Sequence, residues 1–266
     1  MKIKVSCIQT NSFISPTENI NHVNTLIKKA IKKKPDLICL PECVGIFSDD
    51  KNKLNNFCRN ENLFLNFIKD FSKKYKVHFI IGSLPFIKSN KKFLNRSLVI
   101  NNKGQVIAEY DKINLFNVKL NSKEKYLESK LYDSGKKIKV VSLPWGKLGL
   151  SICYDIRFPN LYKKLAKNGA DFLSIPAAFT KTTGKAHWHS LIRSRAIENG
   201  CFVFAPAQCG IHQNKRETFG HSMIVDPWGK ILVEAKNKPT VITAEINISS
   251  IKGIRRKIPS MTNYDF

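Results

Sequence analysis

A short apolar run that stops at a cysteine is the feature that most limits how this chain can fold. Leu148 to Ile152 has the length and composition of a buried β-strand, and Cys153 follows it directly. The polar segment Asn160 to Lys167 comes next and is compatible with a helix. Strands that pass into helices are the units of α/β folds, so the run predicts a strand-to-helix turn at Cys153.

A cysteine at such a turn has two interpretations. The first backbone N–H groups of a helix have no partner inside it, so they can stabilise a thiolate or a developing oxyanion beside them. Cysteine is also one of the most frequently buried residues, and Cys153 could simply fill the core. The local sequence leaves both interpretations open, and residues elsewhere in the chain must decide between them.

The rest of the chain mixes strand-like and helix-like segments. Helices are predicted over residues 17–33, 61–74 and 185–199, and strands and hairpins fill most of the remainder. There is no internal repeat, no low-complexity linker, and no GxGxxG or P-loop motif. We therefore expect one α/β domain over residues 1–266 with a mixed sheet system rather than a regular Rossmann array. The basic tail after Lys252 is expected to be irregular.

Composition sets further bounds. The 266 residues are 42% hydrophobic, which is enough to bury a sizeable core. No apolar run approaches the roughly 20 residues needed to cross a bilayer, and the first residues form a strand-like pattern instead of a signal peptide. We therefore expect a cytoplasmic protein without a membrane partner. The seven cysteines show neither a CxxC pair nor zinc-ligand spacing, and Cys58 is expected to be exposed.

The formal charge of +25 raises the question of a nucleic-acid partner. Lysine accounts for 37 of the 45 basic residues, and the lysines are scattered rather than gathered into a stripe. Specific readers of nucleic acids depend on arginine and on aromatic platforms, which are not interleaved with the basic runs here. The charge therefore indicates a solvated basic surface and no nucleic-acid function.

Two sets of residues could activate a thiol at position 153. Histidine is the usual base, and His187 and His221 both follow Cys153 in the chain. His187 and His189 lie two residues apart and would point in different directions on a helix, so no metal site is expected there. Alternatively, Glu42 and Lys112 each follow a predicted strand and could converge with Cys153 at one sheet edge. Spacing alone does not choose between these mechanisms.

Four motifs together resemble the nitrilase, or carbon–nitrogen hydrolase, superfamily, in order and spacing and over nearly the whole chain. They are Pro41-Glu42, Tyr110-Asp111-Lys112-Ile113, Tyr126-Leu127-Glu128-Ser129 and the segment from Ser151 to Pro159. Three further segments resemble the deaminated glutathione amidase branch, with the ω-amidase branch next. These segments are Thr183 to Trp188, Arg193 to Asn199 and Lys215 to Ser222.

The resemblance implies a role for five residues. Cys153 would attack an amide carbonyl, with Glu42 as general base for the thiol and later for water. Lys112 would stabilise the oxyanion together with the backbone N–H of Tyr154, and Glu128 would orient the site. A thioester would form and water would release the acid, with no metal or organic cofactor.

The resemblance also implies a four-layer α-β-β-α sandwich that pairs as a homodimer, or a higher homo-oligomer, through its helical face. The implied substrate is a small carboxylate-bearing amide, best represented by deaminated glutathione in a metabolite-repair role, with 2-oxoglutaramate as the alternative. Arg157, Lys215 and Arg216 are the candidate partners of the substrate carboxylates, although Arg157 could instead pair with Asp155. A non-catalytic binding protein on the same scaffold is the alternative of another class.

Several positions depart from the family pattern. Asn114, Asn117 and His189 stand where relatives often carry other residues, and the segment from Leu120 to Lys125 replaces a common Gly-Gly. The tail after Pro259 differs from the usual arginine-rich ending. These departures concern the substrate loop and the subunit contacts, and none falls on the four positions with implied side-chain roles.

Overall fold

The computed structural model describes residues 1–89, 92–122 and 124–260. Its helices are α1 (Pro16–Ile31), α2 (Lys51–Arg59), α3 (Glu61–Tyr75), α4 (Pro159–Lys167), α5 (Lys181–Asn199) and α6 (Ser250–Lys257). The strands of the first half are β1 (Lys2–Gln9), β2 (Leu37–Cys39), β3 (His78–Ser89), β4 (Lys92–Ile100), β5 (Val106–Asp111), β6 (Asn117–Lys119) and β7 (Lys125–Leu127). Those of the second half are β8 (Val140–Leu143), β9 (Gly146–Leu150), β10 (Phe172–Ser174), β11 (Phe202–Ala205), β12 (Cys209–Ile211), β13 (Glu217–Phe219), β14 (Met223–Val225), β15 (Ile231–Glu234) and β16 (Thr240–Asn247).

Most strands belong to two six-stranded sheets of the same design. The first has the order β16-β1-β2-β3-β4-β5 and the second the order β8-β9-β10-β11-β14-β15. In each, one antiparallel edge pair is followed by two parallel pairs and then by two antiparallel pairs. The remaining strands form two short hairpins, β6–β7 and β12–β13. The chain therefore builds one sheet arrangement twice.

The central strands are apolar on both faces because both faces are covered. In β2, Leu37 and Cys39 belong to the core between the two sheets, whereas Ile38 belongs to the core under α1 and α3. On the second sheet, Trp188 of α5 and Leu165 of α4 pack over the opposite face. The layers therefore run helix, sheet, sheet, helix, which confirms the expected four-layer sandwich.

Two local expectations were wrong. Cys58 is only 8% exposed, because it lies with Leu54 and Phe57 on the inner face of α2, a helix that the polar composition of this stretch concealed. The tail after Lys252 is not irregular, since α6 continues to Lys257 with Ile251 buried beneath it. Its last turn carries three basic residues, which suit the negative end of the helix dipole.

Within the described ranges, no helix combines the length and the apolar character that a membrane crossing requires.

Candidate active site

Cys153 lies where the sequence predicted, at a turn that follows β9. It begins a short 3-10 helix (Cys153–Arg157) that leads into α4. Its φ angle is +46°, a left-handed conformation that is uncommon for a residue other than glycine and often marks a functional site. Its N–H donates to the carbonyl of Pro176 at 2.8 Å. The turn therefore holds the thiol in a fixed direction, with Tyr154 next in the 3-10 helix.

The side chain of Asp155 stabilises the turn at Cys153. Its buried carboxylate accepts hydrogen bonds from the backbone N–H of Ile152 at 2.9 Å and from the hydroxyl of Tyr110 at 2.8 Å. The side-chain amide of Asn114 donates to it at 2.8 Å. Burial raises the pKa of Asp155, although these hydrogen bonds oppose the shift. Asp155 therefore joins the Cys153 turn to the end of β5 and does not pair with Arg157.

Glu42 lies just beyond β2 and is 4% exposed. Its Oε2 atom accepts the backbone N–H of Ala178 at 2.8 Å. The segment that carries it passes close to β3, where a Cβ atom on Gly82 would lie 2.2 Å from the carbonyl oxygen of Leu40. Only glycine at position 82 allows this approach, so β3 restricts the path of the chain just before Glu42.

Lys112 lies between two carboxylates. Its Nζ atom is 2.9 Å from Oε1 of Glu42 and 2.9 Å from Oε2 of Glu128, and the side chain is 2% exposed. Burial by itself lowers the pKa of Lys112, but the negative charges of Glu128 and Glu42 outweigh it and raise the pKa well above its ordinary value. The site therefore contains a permanently charged ammonium group.

Asn95 is a site residue that the sequence did not reveal. Its Nδ2 atom donates to Oε1 of Glu42 and to Oε1 of Glu128, both at 3.0 Å. Its carbonyl accepts the backbone N–H of Lys112 at 2.9 Å. Asn95 stands in β4, where its neighbours form an ordinary strand pattern, so only the position of β4 beside β3 and β5 gives it this role.

The pKa values of Glu42 and Cys153 move in opposite directions. Burial raises the pKa of Glu42, but the charge of Lys112 and the hydrogen bonds with Lys112 and Cys153 hold it below its usual value. Burial and the charge of Glu42 raise the pKa of Cys153 well above its usual value, against the effect of Lys112. The pair is therefore a neutral thiol beside an ionised carboxylate, which can take the proton when the sulfur attacks.

These groups open onto a cavity of about 750 Å³. Its wall contains four cations besides Lys112, namely Lys125, Lys130, Lys215 and Arg216. Its other lining residues are Glu42, Cys43, Phe47, Ser48, Asp49, Asn95, Phe116, Tyr126, Leu127, Glu128, Leu131, Tyr132, Cys153, Ala178 and Asn214. The site thus has a reactive base and a positively charged wall, an arrangement suited to an acidic small molecule.

Arg216 is held among the aromatic rings of this wall. Its guanidinium lies 5.1 Å from the ring centre of Tyr126 and 5.4 Å from that of Phe47. One of its nitrogens donates to the carbonyl of Ala178 at 2.8 Å. Its buried Nε atom has no hydrogen-bond partner among the described residues. Because Arg216 lines the cavity, it is placed to meet an anionic group of a bound molecule.

The structure does not bring all predicted residues into the cavity. Arg157 is not among the lining residues and contacts the ring nitrogen Nδ1 of His187 at 3.2 Å. His221, the other candidate base, contacts Glu234 at 2.6 Å and also lies outside the lining. The base nearest Cys153 is therefore a carboxylate, and the histidine-based alternative has no support from the geometry.

Two of the departures from the family pattern have clear local roles. Asn114 donates to Asp155 both from its backbone, at 2.9 Å, and from its side chain. Asn117 accepts the backbone N–H of Ser129 at 3.1 Å, which closes the β6–β7 hairpin beside Glu128. Asn117 therefore supports the loop that carries Glu128, whereas Asn114 supports Asp155 and the turn that carries Cys153.

Comparison with known proteins agrees with this geometry. The family model described as "Carbon-nitrogen hydrolase" matches residues 4–256. A deaminated glutathione amidase of Synechocystis is 39% identical over 265 residues, covering 98% of this chain and 97% of the relative. The omega-amidase NIT3 of Saccharomyces cerevisiae is 33% identical over 266 residues, with coverage of 97% and 91%. The crystal structure of the Caenorhabditis elegans NitFhit protein superposes with a TM-score of 0.93 at 34% identity. The match covers 99% of this chain and 65% of that longer one.

Proposed function

Since the chain belongs to the carbon–nitrogen hydrolase family, we propose that this amidase hydrolyses small carboxylate-bearing amides with Cys153 as nucleophile. The observation that supports the proposal most strongly is the arrangement of a buried thiol, an ionised Glu42 and a charged Lys112 at one end of the cavity. A structural cysteine would need neither a base nor a buried cation beside it.

The first half of the proposed reaction forms a thioester. Glu42 accepts the thiol proton as the sulfur of Cys153 bonds to the amide carbon, so the resting enzyme needs no preformed thiolate. The carbonyl oxygen becomes an oxyanion, which the Nζ atom of Lys112 and the N–H of Tyr154 stabilise. The C–N bond then breaks, and the leaving nitrogen takes the proton from Glu42.

The second half releases the acid. A water molecule replaces the departed amine, and Glu42 accepts one of its protons while the oxygen attacks the thioester carbon. The tetrahedral intermediate collapses with cleavage of the C–S bond, and the sulfur of Cys153 recovers a proton from Glu42. The sum of both halves is hydrolysis of one amide bond without any change of oxidation state.

Glu128 and Asn95 act through Lys112 and Glu42 in this proposal. Lys112 contacts both carboxylates, and the second one, Glu128, holds the ammonium group while Glu42 gains and loses its proton. Asn95 binds both carboxylates and so fixes their separation. Glu128 and Asn95 are therefore assigned as positioning residues, and Glu128 also orients the leaving amine.

Deaminated glutathione is the specific substrate that we propose, in a metabolite-repair role. The 39% identity to a deaminated glutathione amidase supports it, as does the cationic wall formed by Lys215, Arg216 and two neighbouring lysines. This substrate carries two carboxylates, and cleavage of its first amide yields 2-oxoglutarate and cysteinylglycine. The alternative is 2-oxoglutaramate, favoured by the similarity to the omega-amidase NIT3, which would yield 2-oxoglutarate and ammonia.

The test incubates the pure protein with each substrate separately and follows 2-oxoglutarate, cysteinylglycine and ammonia. We expect the larger kcat/KM with deaminated glutathione, and the reverse order would favour the ω-amidase assignment. Cys153→Ala should abolish turnover of both. Brief exposure followed by mass spectrometry should detect a 2-oxoglutaryl adduct on Cys153. If the wild-type protein released no product and formed no adduct, the non-catalytic binding alternative would replace this proposal.

We further propose that residues 1–266 form a single cytoplasmic domain that acts as a homodimer or a higher homo-oligomer. No disulfide bond joins any two of the seven cysteines, all of which lie in the described ranges, and this suits a reducing compartment. Ile197 on α5 and Trp228 in the neighbouring turn are 43% and 56% exposed, and they provide apolar area on the helical face for a second copy. Light scattering on the purified protein measures the oligomer size, and a monomer at all concentrations would contradict this assembly.

A further inference from the structure

A second cluster of reactive side chains lies outside the cavity. His189 of α5, His221 before β14 and Glu234 of β15 place their ligand atoms within 4.8 Å of one another. Nε2 of His189 is 2.8 Å and Nδ1 of His221 is 2.6 Å from the same Oε1 atom of Glu234. Positions 189 and 221 are 32 residues apart in the chain, so no short motif indicates the cluster.

The surroundings of His221 hold its ring in a defined orientation. Its φ angle is +57°, in the left-handed region that non-glycine residues seldom occupy, and such strain is often found at functional sites. The indole N–H of Trp188 donates to its carbonyl at 2.8 Å. The ring of Phe219 stacks on the imidazole with 4.2 Å between centroids. These contacts restrain His221, which shares the Glu234 carboxylate with His189.

We propose that His189, His221 and Glu234 bind a zinc ion. Two imidazole nitrogens and one carboxylate oxygen are ligands that zinc uses with a fourth, open position. In the metal-free protein the two nitrogens share Glu234 Oε1 as their acceptor. On binding, each neutral ring carries its proton on the other nitrogen and offers a lone pair to the ion, and Glu234 contributes its negative charge.

Exposure and ligand chemistry both fit this ion. The side chains of His189, His221 and Glu234 are 38%, 27% and 29% exposed, so an ion can enter from solvent and keep one water as its fourth ligand. Calcium and magnesium prefer sites made of oxygen atoms, whereas two imidazoles favour zinc. In the chain His187 is the histidine nearest to His189, but its ring contacts Arg157. In space the neighbour of His189 is His221, with 5.5 Å between the ring centroids.

The proposed ion would connect parts of the second sheet and its covering helix. His189 belongs to α5 and Glu234 to β15, so one ion would fasten the helix to the β14–β15 hairpin. None of the three ligands lines the cavity that contains Cys153. The ion would therefore stabilise the fold without a part in amide hydrolysis, and this inference stands independently of the proposed function.

The test titrates the metal-free, full-length protein with zinc in competition with a chromogenic indicator. The Cys153→Ala variant serves as the parent, because a thiol in the cavity could also bind zinc. We expect one zinc per chain and a higher Tm with zinc. We expect His189→Gln and Glu234→Gln to weaken binding by about tenfold or more. His221→Asn should do the same, and asparagine tolerates the left-handed backbone, so it serves if another variant fails to fold.

His187→Gln is the matched control, because it removes an exposed histidine from the same helix and should leave the affinity and the Tm shift unchanged. Cobalt substitution provides a second readout, since a four-coordinate site gives visible absorption that the His189→Gln variant should lose. The proposal is overturned if the parent protein does not take zinc from the indicator. Binding that is equally strong in the parent and in both the His189 and Glu234 variants would overturn it as well.

Discussion

Ala178 donates its backbone N–H to the Oε2 atom of Glu42 at 2.8 Å. Glu42 follows β2 of the first sheet and Ala178 follows β10 of the second, so this bond crosses from one sheet to the other. The other oxygen, Oε1, contacts Lys112 at 2.9 Å. The proposed base is therefore fixed by both sheets and cannot be positioned by either one alone.

Replacing Glu42 by glutamine should remove the base and keep its shape. The amide oxygen can still accept the N–H of Ala178, but the side chain can no longer take a proton from Cys153. We expect kcat/KM to fall by roughly 10² to 10⁴ with a near-native circular dichroism spectrum. Glu245→Gln, on an exposed edge strand, is the matched control and should keep wild-type activity. Loss of less than about threefold in Glu42→Gln would rule out Glu42 as the base.

Removal of the ammonium group of Lys112 should destabilise the fold. Lys112→Met leaves the buried Glu42 and the partly buried Glu128 close together without the ammonium group between them. We expect the free energy of unfolding at pH 7 to fall by about 3–5 kcal/mol. The loss should shrink at pH 5, because protonation of either carboxyl group relieves the repulsion. Adding Glu128→Gln should recover part of the loss. Urea unfolding of the wild-type protein and the two variants measures this, and an equal loss at both pH values would contradict it.

Asn95→Asp tests whether the side-chain amide of Asn95, which donates to both Glu42 and Glu128, controls the pKa of Glu42. Glu42 works as an ionised base with a pKa below its ordinary value of 4.5, so wild-type kcat/KM should decline only below pH 4.5. Asn95→Asp replaces a donor to Glu42 and Glu128 by a third carboxyl group, which raises the pKa of Glu42. We therefore expect the acidic limb of the pH profile to move upward. Asn56→Asp, on the exposed side of α2, should leave the pH profile unchanged. If the acidic limb of the profile stayed in place in both variants, Asn95 would have no influence on the pKa of Glu42.

His212 should make stability depend on pH. Burial lowers its pKa from 6.5 to about 4. Its Nδ1–H donates to the backbone carbonyl of Ser12 at 3.1 Å, its Nε2 lies 2.8 Å from the hydroxyl of Thr218, and its ring stacks on Phe47. The unfolded chain therefore binds a proton near pH 6.5 that the folded protein accepts only near pH 4. Stability from this group is complete above pH 6.5 and is lost as the pH falls to 4, by about 3 kcal/mol.

The corresponding measurement compares urea unfolding at pH 7 and pH 4. His212→Gln should lose less stability between these values than the wild-type protein, by about 3 kcal/mol. His187→Gln should follow the wild type, because His187 lies at the protein surface. Parallel pH dependence in all three proteins would show that the folded protein does not keep His212 neutral.

The sequence predicted the parts of the site that lie at the ends of strands. Apolar runs that stop at Glu42, Lys112 and Cys153 indicated where polar groups gather, and the family motifs then implied the roles. Asn95 could not be found in this way, because it lies inside a strand. Its contacts with Glu42 and Glu128 depend on which strands lie next to β4, and the sequence pattern does not give that order. Arg157 lies within a family motif, yet its side chain contacts His187 outside the cavity. The sequence does not reveal this, because the direction of a side chain depends on tertiary packing.

The repeated sheet arrangement places the proposed machinery on two halves of one chain. Glu42, Lys112 and Glu128 all precede β8, whereas Cys153 and Ala178 follow it. The first sheet is itself completed by β16, the last strand, which pairs with β1. A growing polypeptide therefore contains Glu42, Lys112 and Glu128 before Cys153 is added, but Ala178 and β16 follow later. The proposed reactivity thus depends on both halves of the chain, since a chain interrupted before β10 would lack the Ala178 N–H that holds Glu42 beside the thiol.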